Sequence, residues 1–257
     1  MMAANKLKIA FFDFTGCEGC QLTAIDSLQT HPELLDVVEI VEFREAMSEK
    51  GGDYQIAFVE GSCSKPEDER RLQTIREQAE IVIAFGACAH LGGVNALRHW
   101  RPANEVHGYV YGELGKRFDS HAARPIAAVI PIEGFIPGCP IDRQEFIRAV
   151  KSLLKKRLPV IPDYPVCVEC RLRENVCVFL HGKVCLGPIT RAGCQAICPT
   201  FGLGCLGCRG QISQANLSGL KWALNAHCLS EDDFDQQMKL FQSYPMLKEK
   251  MDGDHGH

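Results

Sequence analysis

Fourteen cysteines stand in a chain of 257 residues, and twelve of them fall into two spaced sets. The first set is dispersed: Cys17 and Cys20 share the run TGCEGC, Cys88 sits in FGACAH and Cys139 in PGCP. The second is dense and reads Cys167-x2-Cys170-x6-Cys177-x7-Cys185-x8-Cys194-x3-Cys198-Pro199-x5-Cys205-x2-Cys208. Thiolates at such spacings can pair as disulfides, hold zinc, or hold iron–sulfur clusters, and each [4Fe–4S] cluster takes four cysteines. A CxxC pair alone fits a redox dithiol or half of a zinc knuckle equally well. The dense set contains two sets of four, and its spacing leaves their pairing open. Two zinc ions, each held by four cysteines, are the structural alternative to two clusters.

The elements that must position these thiols alternate strand and helix. Strand-like runs cover Lys8–Phe14, Val37–Phe43, Gln55–Val59, Ile81–Phe85 and Ile126–Ile130. Helix patterns cover about 21–28, 66–79 and 142–157, and a helix around 104–114 lies in a polar, Gly-rich stretch. Proline near the start and acids in the first turn mark the helix at Pro66, and Asp142 caps the one that follows it. Apolar strands separated by helices predict a parallel, doubly wound α/β sheet. In such sheets the loops beyond the carboxyl ends of the strands form one rim, where ligands bind. Cys17 and Cys20 follow the first strand, Cys88 the fourth and Cys139 the fifth, so four thiolates from three loops meet there and suit one [4Fe–4S] cluster. Glycines at 16, 19, 86 and 138 let the backbone approach it. The proline-rich run LPVIPDYP (158–165) marks a boundary between a domain of residues 1–160 and a Cys-rich one of 161–257. The Cys-rich segment has too little apolar material for a core of its own and is followed by helices near 217–224 and 232–242.

The opening MMAANKLKIAFFDF has no apolar leader and no twin arginine, and no run reaches the ~18 apolar residues of a membrane span. That reading places the chain in the cytoplasm, where clustered cysteines bind metals more often than they cross-link. A net charge of −4 leaves no basic footprint for nucleic acid. No GxGxxG follows the first strand, and there is no GxxxxGK[ST] phosphate loop.

TGCEGC after the first strand, VEGS after the third, GAC after the fourth and PGCP before a helix together resemble the small subunit of [NiFe] hydrogenases. The segments CLGPITRAGCQAICP and CLGCRG resemble the cytoplasmic branch, of the methyl-viologen-reducing and sulfhydrogenase delta types, and Cys194-x3-Cys198-Pro199 matches the ending of the bacterial ferredoxin run. The resemblance covers about residues 8–210. It implies a flavodoxin-like domain holding a proximal cluster through Cys17, Cys20, Cys88 and Cys139. It implies a ferredoxin-like part holding medial and distal clusters through Cys167, Cys170, Cys177, Cys185, Cys194, Cys198, Cys205 and Cys208. It also implies three [4Fe–4S] clusters in all, no hydrogen-splitting site on this chain, an obligate large-subunit partner, and a further electron-accepting flavin or iron–sulfur subunit.

Four residues stand outside the ligand count. Cys63 in EGSCS is either a small buried residue or a thiol that tunes the proximal site. Glu18, between two ligands, is either a solvated acid or an interface group. His181 reads as a residue at the surface or behind the ligands, and Cys228 has no assigned role. Two other functional classes compete with the hydrogenase reading: a stand-alone ferredoxin-like carrier and a zinc-bound scaffold.

Overall fold

The run LKIAFFD is β-branched and aromatic enough to form a buried strand, and Leu7–Asp13 is β1 in the computed structural model, which describes residues 6–117 and 119–254. It leads into α1 (Gly19–Thr30), β2 (Val38–Phe43), β3 (Ile56–Glu60), α2 (Pro66–Gln78), β4 (Ile81–Phe85) and the short α3 (Ala87–Leu91). Then come α4 (Ala103–Tyr111), β5 (Gly134–Ile136) and α5 (Arg143–Leu154). All four strand pairings are parallel and the order is β2-β1-β3-β4-β5, the flavodoxin-like arrangement.

Side chains alternate across the sheet, so β1 feeds both faces. Ile9 and Phe11 point toward α1 and α5; Ala10 and Phe12 point toward α2 and the 126–130 segment. On the first face Phe11, Phe43, Phe58, Phe85 and Phe146 form one aromatic cluster, with the Phe11 and Phe43 rings stacked at 4.2 Å. The two helices that close the ends are anchored through their first turns. The Asp142 carboxylate accepts the Glu145 N–H at 2.8 Å, and Asp68 accepts the N–H groups of Ser64 and Lys65 at 2.9 and 3.0 Å.

The fifth strand is not where the apolar run predicts it. Ile126–Ala128 is a 3-10 turn, and the strand is the three-residue Gly134–Ile136. Pro125 starts the turn and Pro131 closes the run, so neither flank can donate to a ladder. Ile126 and Ile130 are buried all the same, as side chains lying on the sheet face rather than as a strand within it.

The chain divides into two compact units, residues 1–160 and 161–257. In the second, α6 (Val166–Leu172) and α7 (Ile197–Thr200) lie among the cysteines, followed by α8 (Leu217–Ala226) and α9 (Glu231–Asp254). This unit has a core that the Cys-rich segment shares with the tail helices. Val178, Leu186 and Ile189 from that segment pack with Leu220 and Leu224 of α8 and with Phe234 and Met238 of α9. The tail supplies the apolar surface that the cysteine loops lack. It also clamps them: Gln237 donates to the carbonyl of Cys205 at 2.7 Å, and Gln242 donates to that of Gly207 at 2.9 Å. Among the described residues no helix is long and apolar enough to cross a membrane.

Candidate functional site

The first thiol group is built by the strand ends. Glu18 adopts a left-handed conformation (φ 62°) directly before α1, turning the chain between Cys17 and Cys20. Cys88 lies in α3, entered through Gly86 at φ 88°, and Cys139 follows β5. The glycines make room for sulfur. A Cβ on Gly86 would stand 2.4 Å from the Cys20 Sγ, one on Gly93 2.9 Å from the Cys88 Sγ, and one on Gly19 3.4 Å from the Cys17 Sγ.

These four side chains share one electrostatic environment. Burial pushes the Cys88 thiol up to about 12, with Cys139, Cys17 and Glu60 adding repulsion. Burial also raises Cys20, helped by Glu60, Cys88 and Cys139, and raises Cys139, helped by Cys17 and Glu60. Such a group resists becoming four thiolates unless a positively charged centre is bound among them, which is how metal–thiolate sites are held. Crowded sulfurs, glycine cradles and raised thiols together fit an iron–sulfur cluster.

Glu60, at the end of β3 in the VEGS run, is the residue that reading the cysteines missed. Its buried carboxylate accepts the Cys20 N–H at 3.1 Å and the Gln21 N–H at 3.0 Å, so it anchors the first turn of α1. Burial raises its pKa, and those two hydrogen bonds oppose the rise. Its signal in the sequence was an acid ending an otherwise apolar strand.

The eight remaining cysteines sort by their neighbours. Burial pushes the Cys167 thiol up to about 12, and Cys185, Cys170 and Cys177 add to it. The Cys185 Sγ accepts N–H bonds from Cys205 at 3.1 Å and Gly187 at 3.4 Å. A Cβ on Gly187 would meet the sulfurs of both Cys185 and Cys167, at 3.3 and 3.4 Å. Cys167, Cys170, Cys177 and Cys185 are thus brought together. In the rest, Cys198 is raised by burial and by Cys194, and Cys205 by burial, by Cys185 and by Cys208.

Cys63 has different company. It is fully buried, 3.8 Å from the Arg124 guanidinium, and Arg124 in turn binds Glu69, whose carboxylate lies 3.3 Å from the Nε2 of His121. Cys63, Glu69 and His121 could together touch one ion, but the Arg124 guanidinium already supplies the positive charge between the thiol and the carboxylate. Glu18 is half-buried beside the first group, whereas His181 and Cys228 are exposed.

A flavodoxin-like sheet with four thiols on its rim, followed by a unit with eight more, defines a class of α/β proteins whose sites suit iron–sulfur clusters. The family described as NADH ubiquinone oxidoreductase, 20 Kd subunit, matches residues 17–153. The chain is 35% identical to the sulfhydrogenase 2 subunit delta of Pyrococcus furiosus, over 91% of this chain and 99% of that one. It is 30% identical to a subunit of the F420-non-reducing hydrogenase vhu of Methanococcus voltae, over 90% of this chain and 91% of that one. A chain from the crystal structure of an NAD+-reducing [NiFe]-hydrogenase in the H2-reduced state superposes with a TM-score of 0.55 at 25% identity, covering 62% of this chain and 96% of that one. The chain belongs to this family and, within it, to the small subunits of hydrogenases.

Proposed function

We propose that this chain is the electron-transfer subunit of a cytoplasmic [NiFe] hydrogenase and that it holds three [4Fe–4S] clusters. The observation that carries the reading is the first group: four cysteines from three strand-end loops, mutually repelling and cradled by glycine. Cys17, Cys20, Cys88 and Cys139 would hold the proximal cluster in the first unit. Cys167, Cys170, Cys177 and Cys185 would hold a second, and Cys194, Cys198, Cys205 and Cys208 a third, both in the second unit. The mutual influence of Cys167, Cys170, Cys177 and Cys185 supports that division, and the other four complete it. Bound there, such clusters supply one-electron exchange between the nickel–iron centre of a large subunit and a further flavin or iron–sulfur subunit.

The chain's own part is to hold and tune. The amide N–H groups of Cys205 and Gly187, aimed at the Cys185 sulfur, stabilise negative charge on it. Glu60 fixes the backbone of Cys20 through the first turn of α1. Cys17 and Cys139 are exposed on the rim, so a bound cluster would be open to solvent there without a covering protein. That exposure supports an extensive interface with the large subunit. The reducing cytoplasm suits a chain that needs twelve free thiolates.

Metal analysis of the purified complex tests the reading. About 12 iron atoms per chain, from three four-iron clusters, and a co-purifying nickel-containing partner are expected. About two zinc ions with no iron would replace it with the scaffold reading. Full iron content in a protein that never associates with a nickel-containing partner would favour the stand-alone carrier.

A further inference from the structure

Three side chains of metal-ligating type converge outside the two cysteine sets. The Cys63 sulfur, a Glu69 carboxylate oxygen and a ring nitrogen of His121 all lie within 4.8 Å of one another. The backbone fixes where each stands. Cys63 follows β3 and exchanges two N–H to carbonyl bonds with Arg124, at 3.0 and 2.9 Å, and the His121 N–H donates to the Ser64 carbonyl at 2.9 Å. Glu69 stands in the first turn of α2, beside the Asp68 that pins Ser64 and Lys65. Three stretches of the chain thus present one donor each to a common point.

The imidazole shows which of its atoms is offered. Nδ1 lies 2.9 Å from the Ala122 carbonyl, which can only accept, so the proton of the neutral ring sits on Nδ1. Nε2 then carries a lone pair. It is buried, makes no hydrogen bond, and stands 3.3 Å from the Glu69 carboxylate. Two acceptors at that distance repel unless a cation lies between them. A backbone carbonyl behind one ring nitrogen and a bare lone pair on the other is how histidine is oriented toward a metal. The Cys63 thiol is fully buried, and its polar contacts, the Lys65 carbonyl at 4.0 Å and the Arg124 guanidinium at 3.8 Å, are both long. Arg124 holds Glu69 yet leaves Nε2 unpartnered. Its side chain is 32% exposed, so it can turn to water without crossing the core.

One thiolate, one imidazole and one carboxylate form a donor set that suits zinc. Tetrahedral zinc places a nitrogen and an oxygen ligand about 3.3 Å apart and a sulfur about 3.6 Å from each. Nε2 and the Glu69 oxygen already have that spacing, and the sulfur is a short side-chain adjustment away. We propose that Cys63, Glu69 and His121 bind one zinc ion, with water as the fourth ligand, in exchange for the Arg124 guanidinium. On binding, the thiol proton leaves to water as the sulfur–zinc bond forms, and Glu69 releases Arg124 to take the ion. Charge balances in both states: one guanidinium against one carboxylate, then one divalent ion against a thiolate and a carboxylate. No donor is shared with the twelve cysteines, so the site stands independently of the cluster reading. The ion would tie α2 and the 121–124 segment to the end of β3, where Ser62 pairs with Thr15, two residues before Cys17.

The experiment equilibrates the purified complex with micromolar free zinc, removes the excess, and reads bound zinc by metal assay and its ligands by X-ray absorption at the zinc edge. About one zinc per chain is expected, with one sulfur at about 2.3 Å and nitrogen and oxygen at about 2.0–2.2 Å. Cys63→Ala and His121→Ala are each expected to lose that zinc with iron content unchanged. Arg124→Met keeps the stem and removes the competing charge, so it is expected to bind zinc about tenfold tighter, because the ion no longer displaces a charge-assisted hydrogen bond. Zinc should also slow hydrogen exchange at the His121 and Arg124 amides in the wild type and not in His121→Ala.

A complex that binds no zinc would overturn the proposal. So would zinc surrounded by four sulfurs, which belongs among the clustered cysteines, zinc retained in full by His121→Ala, or an Arg124→Met affinity no tighter than wild type. If Cys63→Ala fails to assemble, the half-buried His121 carries the same readings. If the complex holds no iron, the cluster reading fails, and the zinc lost in His121→Ala still decides this one.

Discussion

At the scale of single residues, the thiols depend on what surrounds them. Gly86 combines a positive φ with a position where a Cβ would stand 2.4 Å from the Cys20 sulfur. Gly86→Ala is therefore expected to cost the first site its cluster while leaving the second unit loaded, lowering iron by about four atoms per chain in a metal assay. Cys63 gives the opposite expectation. Its sulfur faces Arg124 in a partly buried network with Glu69 and His121, so Cys63→Ala should keep full iron content and the proximal midpoint potential. A shift of that potential would restore the tuning role considered from the sequence. The twelve candidate ligands were legible because cysteine at regular spacing carries its chemistry in its identity. Glu60 was not, since one acid at a strand end looks like any polar stop, and only folding brings it to the N–H groups of Cys20 and Gln21.

At the scale of elements, the sheet was legible wherever an unbroken apolar run coincided with a strand: β1, β3 and β4 lie within a residue or two of their expected limits. The failure at 126–130 has a physical cause. An apolar run records burial, not backbone pairing, and Ile126 and Ile130 achieve burial from a 3-10 turn between two prolines. Three residues with a glycine at their head then serve as the edge strand. The aromatic cluster under the sheet makes the strongest stability prediction. Phe58 contacts the rings of Phe11, Phe85 and Phe146, so Phe58→Ala should cost ~3–5 kcal/mol in a denaturant titration of the apo chain. In the second unit Gly204 is tightly packed: a Cβ there would lie 1.8 Å from the Val184 carbonyl oxygen. Gly204→Ala should leave the first unit folded and abolish the iron content of the second, as read by a metal assay.

At the scale of the whole molecule, the two units differ in what holds them. The first rests on a doubly wound sheet with aromatic and aliphatic cores on both faces. The second has a smaller core, shared between cysteine loops and tail helices, and on the proposed cluster reading its loops would need bound metal to hold eight neighbouring sulfurs in place. Iron removal by chelation under reducing conditions is expected to loosen residues 161–254 first. Hydrogen exchange should then show protection retained in β1, β3 and β4 and lost around Cys167–Cys208. Equal loss in both units would contradict this division. The sequence indicated a Cys-rich segment without a core because that segment was read alone; the missing apolar partners lie beyond Cys208, in Leu220, Leu224, Phe234 and Met238.

That dependence on the tail also sets an order in time. A ribosome releases the eight cysteines of the second unit before it releases α8 and α9, whose Gln237 and Gln242 fasten the loops around Cys205 and Gly207. For the interval needed to synthesise the last few dozen residues, the nascent thiols stand open to whatever delivers iron and sulfide. If the proposed clusters are inserted at that stage, the C-terminal helices would fasten the loops last, and a pause in translation just beyond Cys208 would lengthen the period for cofactor loading.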